Sequence, residues 1–125
     1  MLKVVAALIE KDEKILIAQR LKGKYEDMWE FPGGKVEPGE TEEQAIEREI
    51  MEEFNIEVRA KEFIKNSICE TPSKIIDLRL YGCDYISGKI EISEHKQYKW
   101  IDKKDIFNYD LAPADIELAE HVKKL

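Results

Sequence analysis

The 125-residue chain is poor in cysteine: Cys69 and Cys83 are its whole supply and form no CxxC pair. That excludes a thiolate metal centre and a disulfide framework, and the two are read as buried thiols in a reducing cytoplasm. Long apolar runs are missing too. A spanning helix needs about 20 such residues, and the run Val4 to Ile9 gives way at once to Glu10, Lys11 and Asp12. It is also too short for the core of a signal sequence. Positive charge is scarce, with 20 Lys and Arg against 27 Asp and Glu, a net of −7. Such a chain lacks the basic patch that displaces counterions from DNA or RNA. The expectation is a cytoplasmic protein with no membrane and no polymeric nucleic acid as partner. A small polyanion stays admissible if metal ions mediate the contact.

What is present reads as one ordinary domain over residues 1–125, 43% apolar and without repeats, linkers or low-complexity tracts. Val4–Ile9 and Lys14–Gln19 are β-rich runs joined by a charged turn. Leu21–Met28 is a polar loop, and Trp29–Phe31 a short strand stopped by Pro32-Gly33-Gly34. After the turn at Pro38-Gly39, Thr41 with Gln44 forms a capping box that opens a helix. Asn55 should close it as a left-handed residue. Ile56–Glu70 and Ser73–Tyr85 read as long strands about the turn Thr71-Pro72-Ser73, with short strands at Ile90–Ile92 and Tyr98–Ile101. A helical turn at Asp102–Phe107 and a helix over Pro113–Leu125 complete an α/β domain with a mixed sheet.

The central helix breaks a local rule. At about 100° per residue, Ile46, Ile50 and Phe54 form its apolar stripe, while Glu53, Glu49 and Glu52 share an arc of about 100° starting at the stripe's edge. Like charges so placed repel. A solvated acidic face is the plain explanation, yet Glu49 and Glu53 border the buried side, where a solubilising residue has no reason to sit. Two glycine turns precede the helix and bring bare backbone near its start. Clustered oxygens of this kind suit Mg²⁺ or Mn²⁺, whose charge would offset the repulsion.

Gly34, then five residues, Glu40, then seven residues, then Arg48-Glu49-Ile50-Met51-Glu52-Glu53-Phe54-Asn55-Ile56 resembles the Nudix box, residues 34–56 here. The one departure is Asn55 where the box has glycine, and asparagine is the next-best residue at a left-handed stop. The stretches "VVAALIEKDEKILIAQR", "WEFPGGKVEPGE" and "LAPADI" extend the likeness to the MutT-type branch, close to the enzymes that hydrolyse CTP and modified pyrimidine nucleotides. The resemblance implies an α/β/α sandwich and hydrolysis of a nucleoside triphosphate to the monophosphate and diphosphate with a divalent metal. By position it assigns metal ligation to the Gly33 carbonyl and to Glu49, Glu52, Glu53 and Glu94. Catalysis falls to Glu52, Glu53 and Glu94, with Arg48 holding the glutamates and Glu40 steadying the loop–helix corner. Substrate contacts fall to Arg20, Trp29, Glu30, Phe31, Gly33, Gly34 and Asp115. Trp29 and Phe31 could equally be core aromatics.

Asp115 also has a simpler reading, as an acidic residue in the first turn of a helix begun by Pro113. By resemblance it reads the base; as an ionised carboxylate it would accept the amino group of cytosine or the N–H donors of guanine. Cytidine or oxidised bases such as 8-oxo-dGTP are the expected substrates. Two other readings compete: an ADP-ribose-type pyrophosphatase, hinted at by Pro72, and a non-catalytic nucleotide sensor, disfavoured because no box glutamate is lost. His95 and His121 are expected at the surface, and the chain as a monomer, with a dimer possible.

Overall fold

The computed structural model describes residues 1–125. Seven strands form one mixed sheet: β1 (Leu2–Lys11), β2 (Lys14–Arg20), β3 (Trp29–Glu30), β4 (Gly33–Lys35), β5 (Glu57–Glu70), β6 (Ile75–Ser87) and β7 (His95–Ile101). Helix α1 (Glu42–Phe54) covers one face. Helix α2 (Pro113–Val122), reached through a 3₁₀ turn at Lys103–Asn108, covers the other. This is the expected α/β/α sandwich.

Strand alternation explains the layering. Val5, Ala7 and Ile9 of β1 and Leu16 and Ala18 of β2 pack with Ala45, Ile46, Ile50 and Phe54 of α1. Ala6, Leu8, Ile15 and Ile17 face the opposite way, toward Leu118, Ala119 and Val122 of α2. With both faces covered, β1 reads as a continuous apolar run. It is the central strand, parallel to β6 and antiparallel to β2.

The pairing of β1 and β2 is brief, and that positions the site. They pair only at Glu10–Ile15 and Lys11–Lys14; β2 then diverges to pair with β7 and β3. The vacated edge of β1 is taken by β4, with Ala6 opposite Gly33 and Val5 opposite Gly34. Proline and glycines here predicted a stop, whereas the chain crosses two residues and resumes as a strand. Only glycine fits at such close approach: a Cβ on Gly33 would lie 1.9 Å from the Val5 carbonyl oxygen.

The capping box at Thr41 and Gln44 forms in both directions. Three expectations need correction. Ile90–Ile92 is not a strand: these residues tuck under the end of α1, where the Glu91 and Ser93 amides donate to the Phe54 and Glu53 carbonyls. β7 instead begins at His95, three residues earlier than expected, because its pairing with β2 continues through a bulge at Gln19–Arg20. Cys83 is buried, but Cys69 is only half-buried.

Asn55 closes α1 at φ 59°, ψ 31°. The left-handed conformation costs an ordinary side chain about 1–2 kcal/mol and asparagine less. Asn55→Ala should therefore lower unfolding stability by about 1 kcal/mol in urea melts, while Asn55→Gly should leave it nearly unchanged.

Candidate active site

The site is assembled where β1 and β2 part. Arg48, near the middle of α1, organises one wall: its Nε and Nη2 donate to the two Glu40 carboxylate oxygens at 2.6 and 3.0 Å, and Nη1 reaches Glu49 at 2.8 Å and Glu52 at 3.0 Å. Nη2 also donates to the Lys35 carbonyl at 3.0 Å. Glu40 in turn accepts the Glu37 amide at 2.9 Å, so the corner from β4 to α1 is tied by one guanidinium. These contacts hold the Arg48 pKa above its usual value and depress that of Glu40.

Beyond Arg48 the negative charge is uncompensated. Glu53 is pushed up to about 9, first by burial and then by Glu49, Glu30 and Glu94. Glu49 lies against bare backbone, where a Cβ on Gly34 would come within 2.3 Å of its carboxylate. Glu52 is the outlier, more than half exposed and turned to Arg48. No three His, Cys, Asp or Glu side chains converge as a finished metal cage. The all-oxygen donor set, the glycine cradle and the raised Glu53 pKa nevertheless suit a hard divalent cation.

A cavity of 470 Å³ is lined by Arg20, Glu30, Phe31, Gly33, Gly34, Glu53, Glu94 and Asp115, with Val4, Val5, Leu78 and His95. The sequence had pointed to the first eight. A second cavity of 520 Å³ adjoins it, shares Val4, Arg20, Glu30, Leu78 and Asp115, and extends between Lys24–Tyr25 and the turn Thr71–Lys74. Glu49, Glu52 and Arg48 line neither cavity. Trp29 does not face either cavity; it packs in the α2-side core with its ring edge-on to Tyr109, centroids 5.2 Å apart.

Asp115 is buried in the first turn of α2 and accepts the Phe31 amide at 2.9 Å. Burial, reinforced by Glu30, raises it to about 8. Burial thus biases this carboxyl toward its neutral form, a bias that local sequence did not indicate. His95 departs further from expectation. It is buried, with Nε2 2.9 Å from Glu30, Nδ1 3.8 Å from Glu53 and its ring stacked on Phe54. The signal that could have found it was register, since His95 lies opposite Arg20 and Glu30 opposite Ala18.

A helix-borne glutamate row and a glycine cradle thus stand beside a cleft that also holds a paired arginine. The chain belongs to the Nudix family, whose NUDIX domain profile matches residues 1–122. It is 41% identical over 121 residues to the CTP pyrophosphohydrolase of Escherichia coli, covering 96% of this chain and 90% of that one. It is 35% identical to the 8-oxo-dGTP diphosphatase of Haemophilus influenzae, covering 91% and 86%. Among solved structures, that of the E. coli ORF135 protein superposes with a TM-score of 0.91 at 40% identity, covering all of this chain and 90% of the other. The protein is a MutT-type Nudix hydrolase, a pyrophosphohydrolase acting on nucleotides.

Glu53 and Asp115 both hold protons in the folded state that the unfolded chain releases near pH 4. The native state binds more protons across this window, so stability falls as pH rises from about 4 to about 9. In the presence of a chelator, the melting temperature should decline over that range, and Asp115→Asn, which cannot ionise, should flatten the decline.

Proposed function

We propose that the protein hydrolyses a nucleoside triphosphate to the monophosphate and diphosphate in a reaction dependent on Mg²⁺ or Mn²⁺, with cytidine or oxidised bases such as 8-oxo-dGTP preferred. The observation that carries this is the opening of Glu53 and Glu94 into the same cavity as Arg20 and Asp115. Its glutamates and arginine suit metal-bound phosphates, and the buried Asp115 suits a base. The relatives named above supply the two candidate substrates.

The Gly33 carbonyl with Glu49, Glu52, Glu53 and Glu94 would hold the cation. Bound there, it would neutralise phosphate charge and lower the pKa of a water. The remaining work is positioning and electrostatics. Arg48 keeps Glu49 and Glu52 oriented, and Arg20, anchored by Glu30 at 2.8 Å, presents its remaining donors to the phosphates. Glu94, on the exposed segment just before β7, is free to move onto the substrate as a base or a further ligand. Phe31 fixes Asp115 by its amide, leaving the second carboxyl oxygen for the base. Neutral, that oxygen donates to a ring nitrogen or carbonyl; ionised, it accepts an amino group.

Incubation with Mg²⁺ and a panel of dNTPs, CTP, 8-oxo-dGTP and ADP-ribose tests the reading, with diphosphate as the expected product. Turnover of ADP-ribose alone would replace it with the sugar-nucleotide alternative, and no turnover would favour a sensor. Glu53→Gln should lower kcat on the order of 10²-fold or more while the fold survives. Full activity in that variant would remove Glu53 from the machinery.

Asp115→Ala tests base reading separately. Loss of a buried partner costs ~1–3 kcal/mol, or roughly 5- to 150-fold in kcat/KM for the preferred base. Selectivity among bases should flatten with folding and metal binding intact. A lower melting temperature with selectivity unchanged would return Asp115 to a purely structural part in α2.

A further inference from the structure

His95 is a buried polar residue that the reading above leaves without a task. Its side chain is 4% exposed, and Nδ1 has no hydrogen-bond partner. An apolar ring would fill the same space against Phe54 without that desolvation cost. The imidazole instead stands between two carboxylates. Nε2 lies 2.9 Å from Glu30 Oε2, and Nδ1 faces Glu53 Oε1 at 3.8 Å, within ion-pair range but beyond a hydrogen bond.

The contacts continue on the far side. Glu30 Oε1 accepts Arg20 Nη1 at 2.8 Å, so an unbroken series runs Arg20, Glu30, His95, Glu53. It joins the ends of β2 and β3 to the start of β7 and thence to α1. The backbone builds this deliberately: Arg20 pairs with His95, and the bulge at Gln19–Arg20 lies beside that pair. Arg20 Nε, like His95 Nδ1, is buried without a protein partner. Both orphaned groups belong to this one series.

We infer that His95 is a positioning residue, using the Glu30–His95–Glu53 contacts to hold the metal-side glutamate in register with the phosphate-side arginine. The inference rests on the Nudix reading of the site and deepens it. Because a carboxylate only accepts, Glu30 fixes the hydrogen on Nε2 and with it the plane of the ring. The stack on Phe54, centroids 5.1 Å apart and planes inclined by 29°, sets the other orientation. Nδ1, left as an acceptor, offers an ionised Glu53 no hydrogen bond at 3.8 Å, so the ring, oriented by Glu30 and Phe54, limits where that carboxylate can sit by occupying the space beside it.

Partners that orient metal ligands cost 10- to 100-fold in affinity or activity when removed. His95→Phe keeps the ring and its stack but removes both nitrogens. Mn²⁺ binding to the nucleotide-free protein, followed by the EPR signal of free Mn²⁺, should weaken on the order of 10-fold. With CTP and 8-oxo-dGTP, kcat should fall by a similar factor and KM by much less. His95→Gln, whose carboxamide can still donate to Glu30, should recover a large part of both losses. Wild-type Mn²⁺ affinity and kcat in a folded His95→Phe would overturn the inference. So would a glutamine variant no better than the phenylalanine one, which would make the ring's packing the whole of its role. Should His95→Phe not fold, Glu30→Gln substitutes: it weakens the acceptor for Nε2 and should also loosen Mn²⁺, and unchanged binding there overturns the inference. If the wild-type protein turns over neither nucleotide, the proposed activity fails, and the Mn²⁺ affinities still decide the part played by His95.

Discussion

The structure hangs on one cation, the Arg48 guanidinium. It is the single positive charge of the glutamate face, and its donors engage Glu40, Glu49, Glu52 and the Lys35 carbonyl at once. Without it, α1 would carry its row of carboxylates unbalanced, and β4 would have no polar tie to the helix that follows. A planar fork can serve several acceptors in fixed directions, which a lysine ammonium cannot. Glu53 lies beyond its reach, where burial first and the neighbouring carboxylates second raise its pKa. The site is strained in charge and settled in backbone.

Strand geometry supplies the second constraint. Since β1 and β2 pair at only one end, the chain between β2 and α1 is drawn into the gap, and glycines at positions 33 and 34 let it lie flat on β1 and under Glu49. The same divergence sends β2 to β7, which delivers His95 and places Glu94 at the cavity rim. Residues far apart in sequence meet there because a sheet was split.

Legibility in the sequence followed the range of the interactions. The capping box, the left-handed Asn55 and the acidic edge of α1 are written in spacings of a few residues, and so were readable. The box motif and its flanks named the family. What escaped depended on tertiary register: the strand character of Gly33–Lys35, the early start of β7 and the burial of His95 all come from pairing with β1 or β2. Trp29 was ambiguous between cavity and core because a two-residue strand carries no usable alternation, and the fold sends it to the core. The upward shift of the Asp115 pKa escaped for a related reason, since desolvation is a property of the packed environment and not of local sequence.

The parallel pairing of β1 with β6, from Leu2 opposite Ile76 to Glu10 opposite Asp84, also dictates an order of events at birth. As the chain leaves the ribosome, β1 can meet its hairpin partner β2 at once, but its other edge is closed only by β6, which follows α1 and β5. Until then a nearly all-apolar strand presents unpaired amides, the condition under which chains stick to one another. Val4 and Leu78, which line the two cavities from these strands, come together only at that closure. The cavities at the parting of β1 and β2 are thus late products of folding, completed only after the whole glutamate helix has been made.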